Sequence, residues 1–228
     1  MKVRSYFSKA EYALWGCSVA GILAAFFVFG GDTLSLIASL IGVTSLILNA
    51  KGNPIGQALM VVFSLLYGII SYTFEYYGEM ITYLGMTAPM AVVALVAWLR
   101  HPFRGNRAEV EVGRISRRER VWMWVPAAAV TAVFYVILQA CGTANLIPST
   151  VSVTTSFVAV YLTFRRSPYF ALAYAANDIV LIVLWVLATV ADPSYLSVTV
   201  CFAAFLAGDL YGFFSWKRMQ KRQIREQL

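Results

Sequence analysis

Asn177 and Asp178 stand in the middle of YFALAYAANDIVLIVLWVLA, residues 169–188, a run apolar enough to cross a bilayer. An ionised Asp at the bilayer centre costs about 2.5–3.5 kcal/mol even on a lenient insertion scale, so Asp178 has to face a cavity or a partner. Tyr174 lies one helical turn before it, on the same face. Asp209, followed by Tyr211, is a second acid inside an apolar run, and Glu79 stands between Tyr77 and Tyr83 near the end of another. Carboxylates, amides and flat rings around one midplane position suit a planar polyhydroxylated solute, and aromatic faces attract a cation. The competing reading is that such groups tie helices together by hydrogen bonds, as Ser, Asn and Asp do in many bundles. The rings of Phe63, Tyr67, Tyr174 and Trp185 have the same alternative, ordinary packing.

The elements that must position these groups follow from composition. Of 228 residues 60% are hydrophobic and 13% charged, against about 45–50% and 25% in soluble domains. Runs of about 20 apolar residues predict eight transmembrane helices, near 12–30, 33–50, 54–74, 78–99, 120–141, 144–164, 168–190 and 195–217, and the chain is read as a single all-α membrane domain. The first run follows a basic start, as a signal peptide would, but it is longer than a usual signal core and no convincing cleavage site follows. With eight spans, all 18 Lys and Arg fall in the termini and in the connections after spans 2, 4 and 6. The opposite connections hold Asp32, Glu75, Asp192 and the turn near Gly142. The positive-inside rule then places both termini in the cytoplasm, with residues 218–228 a basic tail.

An internal repeat brings in further candidates. NAKGNPIGQALMVVFSLLYG (49–68) and TFRRSPYFALAYAANDIVLI (163–182) both run from a helix end through a basic turn into a span opened by Pro54 or Pro168, and Pro suits the first turn of a helix. Each of these spans precedes one that ends in a Trp, Trp98 or Trp216. Residues 33–99 and 144–217 thus read as two parallel three-helix repeats, joined by the 120–141 helix and preceded by an extra helix at 12–30. Parallel repeats are a transporter arrangement, with substrate bound between the halves. The partners of Ala171, Tyr174 and Asp178 are Gln57, Met60 and Ser64, so the candidate substrate-binding set is Gln57, Ser64, Tyr67, Glu79, Tyr83, Tyr174, Asn177, Asp178 and Asp209.

Other function classes find less support. The net charge of +7 comes from basic clusters that serve as topology signals and attract anionic lipid, so no nucleic-acid partner is expected. Cys17, Cys141 and Cys201 lack ligand spacing, and neither a metal nor a cofactor is expected. His101, the sole His, has no ligand companions, and no P-loop is present. Asp178 and Asp209 would make an acid pair for an intramembrane hydrolase, yet no nucleophile accompanies them.

YYGEMITYLGMTAPM (76–90), NAKGNPIGQ and AYAANDIVLIVLW resemble the bacterial PnuC-type nicotinamide riboside transporters over spans 2–8. The resemblance implies a 3+1+3 core with SWEET-like architecture, a homotrimer in the bacterial plasma (inner) membrane, and facilitated diffusion made one-way by cytoplasmic phosphorylation of the riboside. Members of that family carry a Trp-x-x-Trp-x-x-x-Asn/Asp pattern on the substrate helix. The corresponding residues here are Ala171, Tyr174 and Asp178, which keeps the carboxylate and changes the aromatic wall. Thiamine, riboflavin and deoxynucleosides are the alternative substrates, and proton coupling through a membrane-embedded Asp is the alternative energetics.

Overall fold

The computed structural model describes residues 6–30, 32–73, 77–143 and 145–227; Glu75, expected in a connection, lies outside them. Among the described residues eight helices are long and apolar enough to cross a membrane. α1 (Lys9–Phe29) opens with a capping box in which Ser8 N donates to Glu11 Oε2 at 2.7 Å and Glu11 N donates to Ser8 Oγ, satisfying amides that a helix start leaves free. α2 (Thr33–Ala50) is capped by Asp32, which accepts from Ser35 N, and α3 (Pro54–Thr73) starts on its proline.

The fourth span is interrupted. α4 (Tyr77–Thr82) passes through a π-helical turn, Tyr83–Thr87, into α5 (Ala88–Arg100). Pro89 has no N–H to offer the carbonyl of Gly85 and its ring crowds that carbonyl. The ladder slips instead, and Ala88 N donates to Tyr83 O, five residues back. Such single π turns gather at functional positions.

α5 leads into a hairpin, β1 (Pro102–Phe103) and β2 (Asn106–Val110), whose two-residue turn puts Arg104 and Gly105 at φ 49° and 77°, the geometry that matches strand twist. This hairpin departs from the all-helical expectation. The fifth span is α6 (Arg117–Trp122) with α7 (Trp124–Ala140), followed by α8 (Leu146–Phe164), α9 (Phe170–Ala191) and α10 (Leu196–Gln227). α10 carries the basic segment 218–227 as continuous helix. At 32 residues it is roughly 48 Å long, so its basic end projects beyond a 30 Å hydrocarbon core. That end is held to the hairpin: Gln223 donates to Glu109 Oε1 and Val110 O and accepts from Val112 N, and Arg222 pairs with Glu109.

Six helices close into a ring, α2 against α3, then α5, α8, α9, α10 and back to α2, with α1 outside α2 and α10, and α7 outside α8. Small side chains let them approach, as membrane helices require. α2 buries Ser35, Ala38, Gly42, Ser45 and Asn49; α8 buries Ser149, Ser152, Ser156, Ala159 and Thr163. The two sets correspond residue for residue under one sequence offset.

Backbone bonds correspond under the same offset. Asn53 N donates to Leu48 O and Ser167 N to Leu162 O; Gly52 N donates to Asn49 O and Arg166 N to Thr163 O. Gly52 and Arg166 both have positive φ, 68° and 55°. Their carbonyls accept from Val110 N and Gly113 N at 2.9 Å each, so the segment after α5 is strapped across both turns. A side chain at Gly113 would put Cβ 2.1 Å from Arg165 O; only glycine lets the strap pass.

Candidate functional site

α9 carries Asp178 and α10 carries Asp209 into the interior of the ring, where they are 3% and 4% exposed. Their carboxyls lie within hydrogen-bonding reach of each other. Asp178 Oδ2 has no further donor among the described residues. Tyr174, a turn before Asp178, reaches Thr163 with its hydroxyl and lies beside both acids. Ser64, in the matching position on α3, is fully buried with its Oγ unpartnered. Cys201 lies beside Ser39 and Asp178. Unsatisfied polar atoms in a buried interior are costly, and each calls for a bound water, a ligand or a movement.

Toward the face away from the basic turns, aromatic rings cover this layer. Phe63 stacks on Tyr67 at 5.6 Å, Tyr67 meets Tyr83 at 4.4 Å, and Phe205 leans on Phe63 at 5.2 Å. Gly42 makes room for this, since a Cβ there would lie 2.3 Å from Phe205 Cζ. Trp185 Nε1 donates to Tyr67 Oη at 2.6 Å, which ties α9 to α3 across the ring. Tyr83 comes from the π turn, so the slip forced by Pro89 helps to set a ring beside Glu79 and Asp178.

Toward the basic face a second aromatic layer closes the interior. Trp98 and Trp216 lie 5.2 Å apart and are fully buried. Trp98 Nε1 donates to Thr163 O and Trp216 Nε1 to Asn49 O, so each tryptophan grips the helix end of the other triplet. Beyond them a basin of about 840 Å³, open to solvent, is lined by Tyr6, Glu11, Lys51, Glu109, Tyr211 and Arg222.

The structure brings Ser64, Tyr67, Tyr83, Tyr174, Asp178 and Asp209 to one interior region. Glu79 lies at the outer edge of that region, against Gly78, Thr143 and Trp185. Two further candidates are engaged elsewhere. Asn177 Oδ1 accepts from Thr155 and Ser156 and fastens α9 to α8, while Gln57 Nε2 donates to Asn49 Oδ1 and fastens α3 to α2. Tyr211 turns outward and donates to Glu11 Oε1, while Glu11 Oε2 pairs with Lys51 at 3.0 Å; α1 is pinned there.

Sequence reasoning used Trp98 and Trp216 only as repeat markers and did not foresee their bonds across the ring. Cys201, Ser39 and Phe205 were missed, and Pro89 inside an apolar span was the available sign of the π turn. Among the described residues no three His, Cys, Asp or Glu side chains are grouped as metal ligands.

Eight apolar helices, six of them closed around a carboxyl pair between two aromatic layers, belong to the class of multi-pass membrane transporters of small molecules. The chain is a member of the nicotinamide mononucleotide transporter family, whose sequence model matches residues 32–218. A protein described as nicotinamide riboside transporter PnuC, from Neisseria mucosa (strain ATCC 25996 / DSM 4631 / NCTC 10774 / M26), is 31% identical over 216 residues, covering 92% of this chain and 82% of that one. The crystal structure of the vitamin B3 transporter PnuC superposes with a TM-score of 0.83 at 23% identity, covering 95% of this chain and 94% of that one. The family model starts at α2 and leaves α1 outside.

Proposed function

We propose that the protein carries nicotinamide riboside across the membrane by facilitated diffusion, with the Asp178–Asp209 pair and Tyr174 as the central site. The observation that carries this is the buried carboxyl pair, with Asp178 Oδ2 unpartnered, between two aromatic layers in a chain closely related to a riboside transporter. A pyridinium riboside offers a delocalised cation for the acids, a flat ring for Tyr67, Tyr83 and Tyr174, and hydroxyls for Ser64 and Asp209. Facilitated diffusion becomes uptake when the riboside is phosphorylated inside the cell.

The remaining architecture is proposed on the same footing. α2–α5 and α8–α10 are parallel repeats of a 3+1+3 core, supported by their matched small-residue faces and turn bonds. The protein is a homotrimer in the bacterial inner membrane, with the basic face in the cytoplasm. Cysteines introduced beside Arg114 and at the C-terminus are then labelled only from the cytoplasmic side, and one near Asp192 only from outside. The reverse pattern would overturn the orientation.

Titration of the purified protein with nicotinamide riboside, thiamine, riboflavin and nucleosides tests the substrate: the riboside binds tightest, and preference for another solute redirects the assignment. Proteoliposomes test the energetics. With the membrane potential clamped at zero, labelled riboside equilibrates to the external concentration with or without a pH gradient. Accumulation above that level under an inward proton gradient, lost in Asp178→Asn or Asp209→Asn while exchange persists, would establish a symporter.

A further inference from the structure

Glu79 is 6% exposed, and its Oε2 finds no hydrogen-bond partner among the described residues. It opens into a crevice at the end of the ring away from the basic turns, lined by Gly78, Thr143, Asn145, Ser149, Leu184 and Trp185. Thr143 Oγ1, in the same wall, is also buried and unpartnered. Gly78 lets the Thr143 turn approach, since a Cβ there would lie 2.9 Å from Thr143 Cγ2.

A buried carboxylate needs a compensating charge or donors, and no Lys or Arg among the described residues stands there. Every Lys and Arg among the described residues lies in the turns and helix ends of the opposite face. A cationic solute entering from the outer face can supply that charge. Trp185 forms one wall of the crevice and, through its bond to Tyr67, also part of the aromatic layer that covers Asp178. The crevice and the central site therefore share that ring as a partition.

We propose that Glu79 is an outer recognition carboxylate, a station separate from the Asp178–Asp209 site that selects organic cations before Trp185 moves to admit them. This rests on the substrate class proposed above. It adds a division of labour: Glu79 reads positive charge at the mouth, and the central groups read the remainder of the molecule. A flat cation fits between an acid and an indole face because both attract it.

The test compares two solutes of nearly equal shape, nicotinamide riboside and its reduced dihydro form, whose ring carries no charge. Exchange into proteoliposomes is measured at zero potential for the wild type, Glu79→Gln and Glu79→Asp. Glu79→Gln raises the half-saturating concentration of the cation about tenfold or more and leaves the neutral form within twofold, erasing the preference between them. Glu79→Asp folds with the charge intact and keeps the preference, so a poorly folding Gln variant does not leave the question open. Equal losses for both solutes, or an unchanged preference in Glu79→Gln, would overturn the proposal and make Glu79 a structural group. A wild type that carries neither solute would instead sink the substrate assignment, and this inference with it.

Discussion

The turn that joins α2 to α3 and the turn that joins α8 to α9 make the same hydrogen bonds, carry a proline at the matching sequence position, Pro54 opening α3 and Pro168 lying two residues before α9, and accept the same strap. One turn above them the resemblance ends. Where α3 has Met60 and Ser64, α9 has Tyr174 and Asp178; where α5 has Ala91, seven residues before its latch tryptophan, α10 has Asp209, seven before its own. The first triplet supplies the rings of Phe63, Tyr67 and Tyr83, and the second supplies both central acids. Backbone bonds are satisfied by geometry alone, so the scaffold tolerates a two-fold plan. The chemistry does not: two carboxyls can face each other over one proton, whereas four around one point would repel beyond what the interior can compensate.

The largest effect that tests this contrast is on binding. Asp178→Ala removes a charge-assisted contact, which typically costs about 1.5–3 kcal/mol or roughly ten- to a hundredfold in affinity. Ser64→Ala, at the matching position, removes only a neutral hydrogen bond and costs less, about 0.5–1.5 kcal/mol or roughly two- to tenfold in the same titration. Equal losses would mean that the two triplets share the site evenly.

A smaller contrast sits in the turns. Gly52 and Arg166 have the same left-handed backbone, which costs a residue with a Cβ about 1–2 kcal/mol. Gly52→Ala incurs that strain and sets its Cβ 3.0 Å from Met219 Cε, so thermal unfolding in detergent shows it destabilised by about that amount. Arg166→Gly relieves the strain and leaves the midpoint unchanged or higher. A marked fall in Arg166→Gly would reveal that the guanidinium holds the strap by contacts worth more than the strain.

The smallest expected difference is between the latches. Trp98→Phe and Trp216→Phe each delete one indole bond to a helix-end carbonyl that keeps a second donor, Arg166 N or Gly52 N. Each should cost about 0.5–1.5 kcal/mol from that bond, and the two midpoints should agree closely. Disagreement would show that the scaffold is less symmetric than its bonds.

Much of this was legible in the chain. Span count and lengths follow from hydropathy because lipid tolerates no unpaired backbone. Pro54 marks the start of α3 and Pro168 comes within two residues of the start of α9, and the cost of an acid in hydrocarbon singles out Asp178 and Asp209. What the chain could not say is which neighbour each polar group faces. Asn177 and Asp178 are adjacent in sequence, yet successive residues on a helix point about 100° apart. Asn177 binds Thr155 and Ser156 on α8 while Asp178 looks into the ring.

The sequence by itself therefore determined the class of protein, the helices, and the short roster of buried groups able to do chemistry, because each is set by local composition and period. Only the tertiary structure decided the Asp178–Asp209 pairing, the Trp98 and Trp216 latches and the Trp185–Tyr67 partition. Those contacts join residues 31 to 167 positions apart, and their partners are chosen by how the helices rotate and pack against one another, which no single helix encodes.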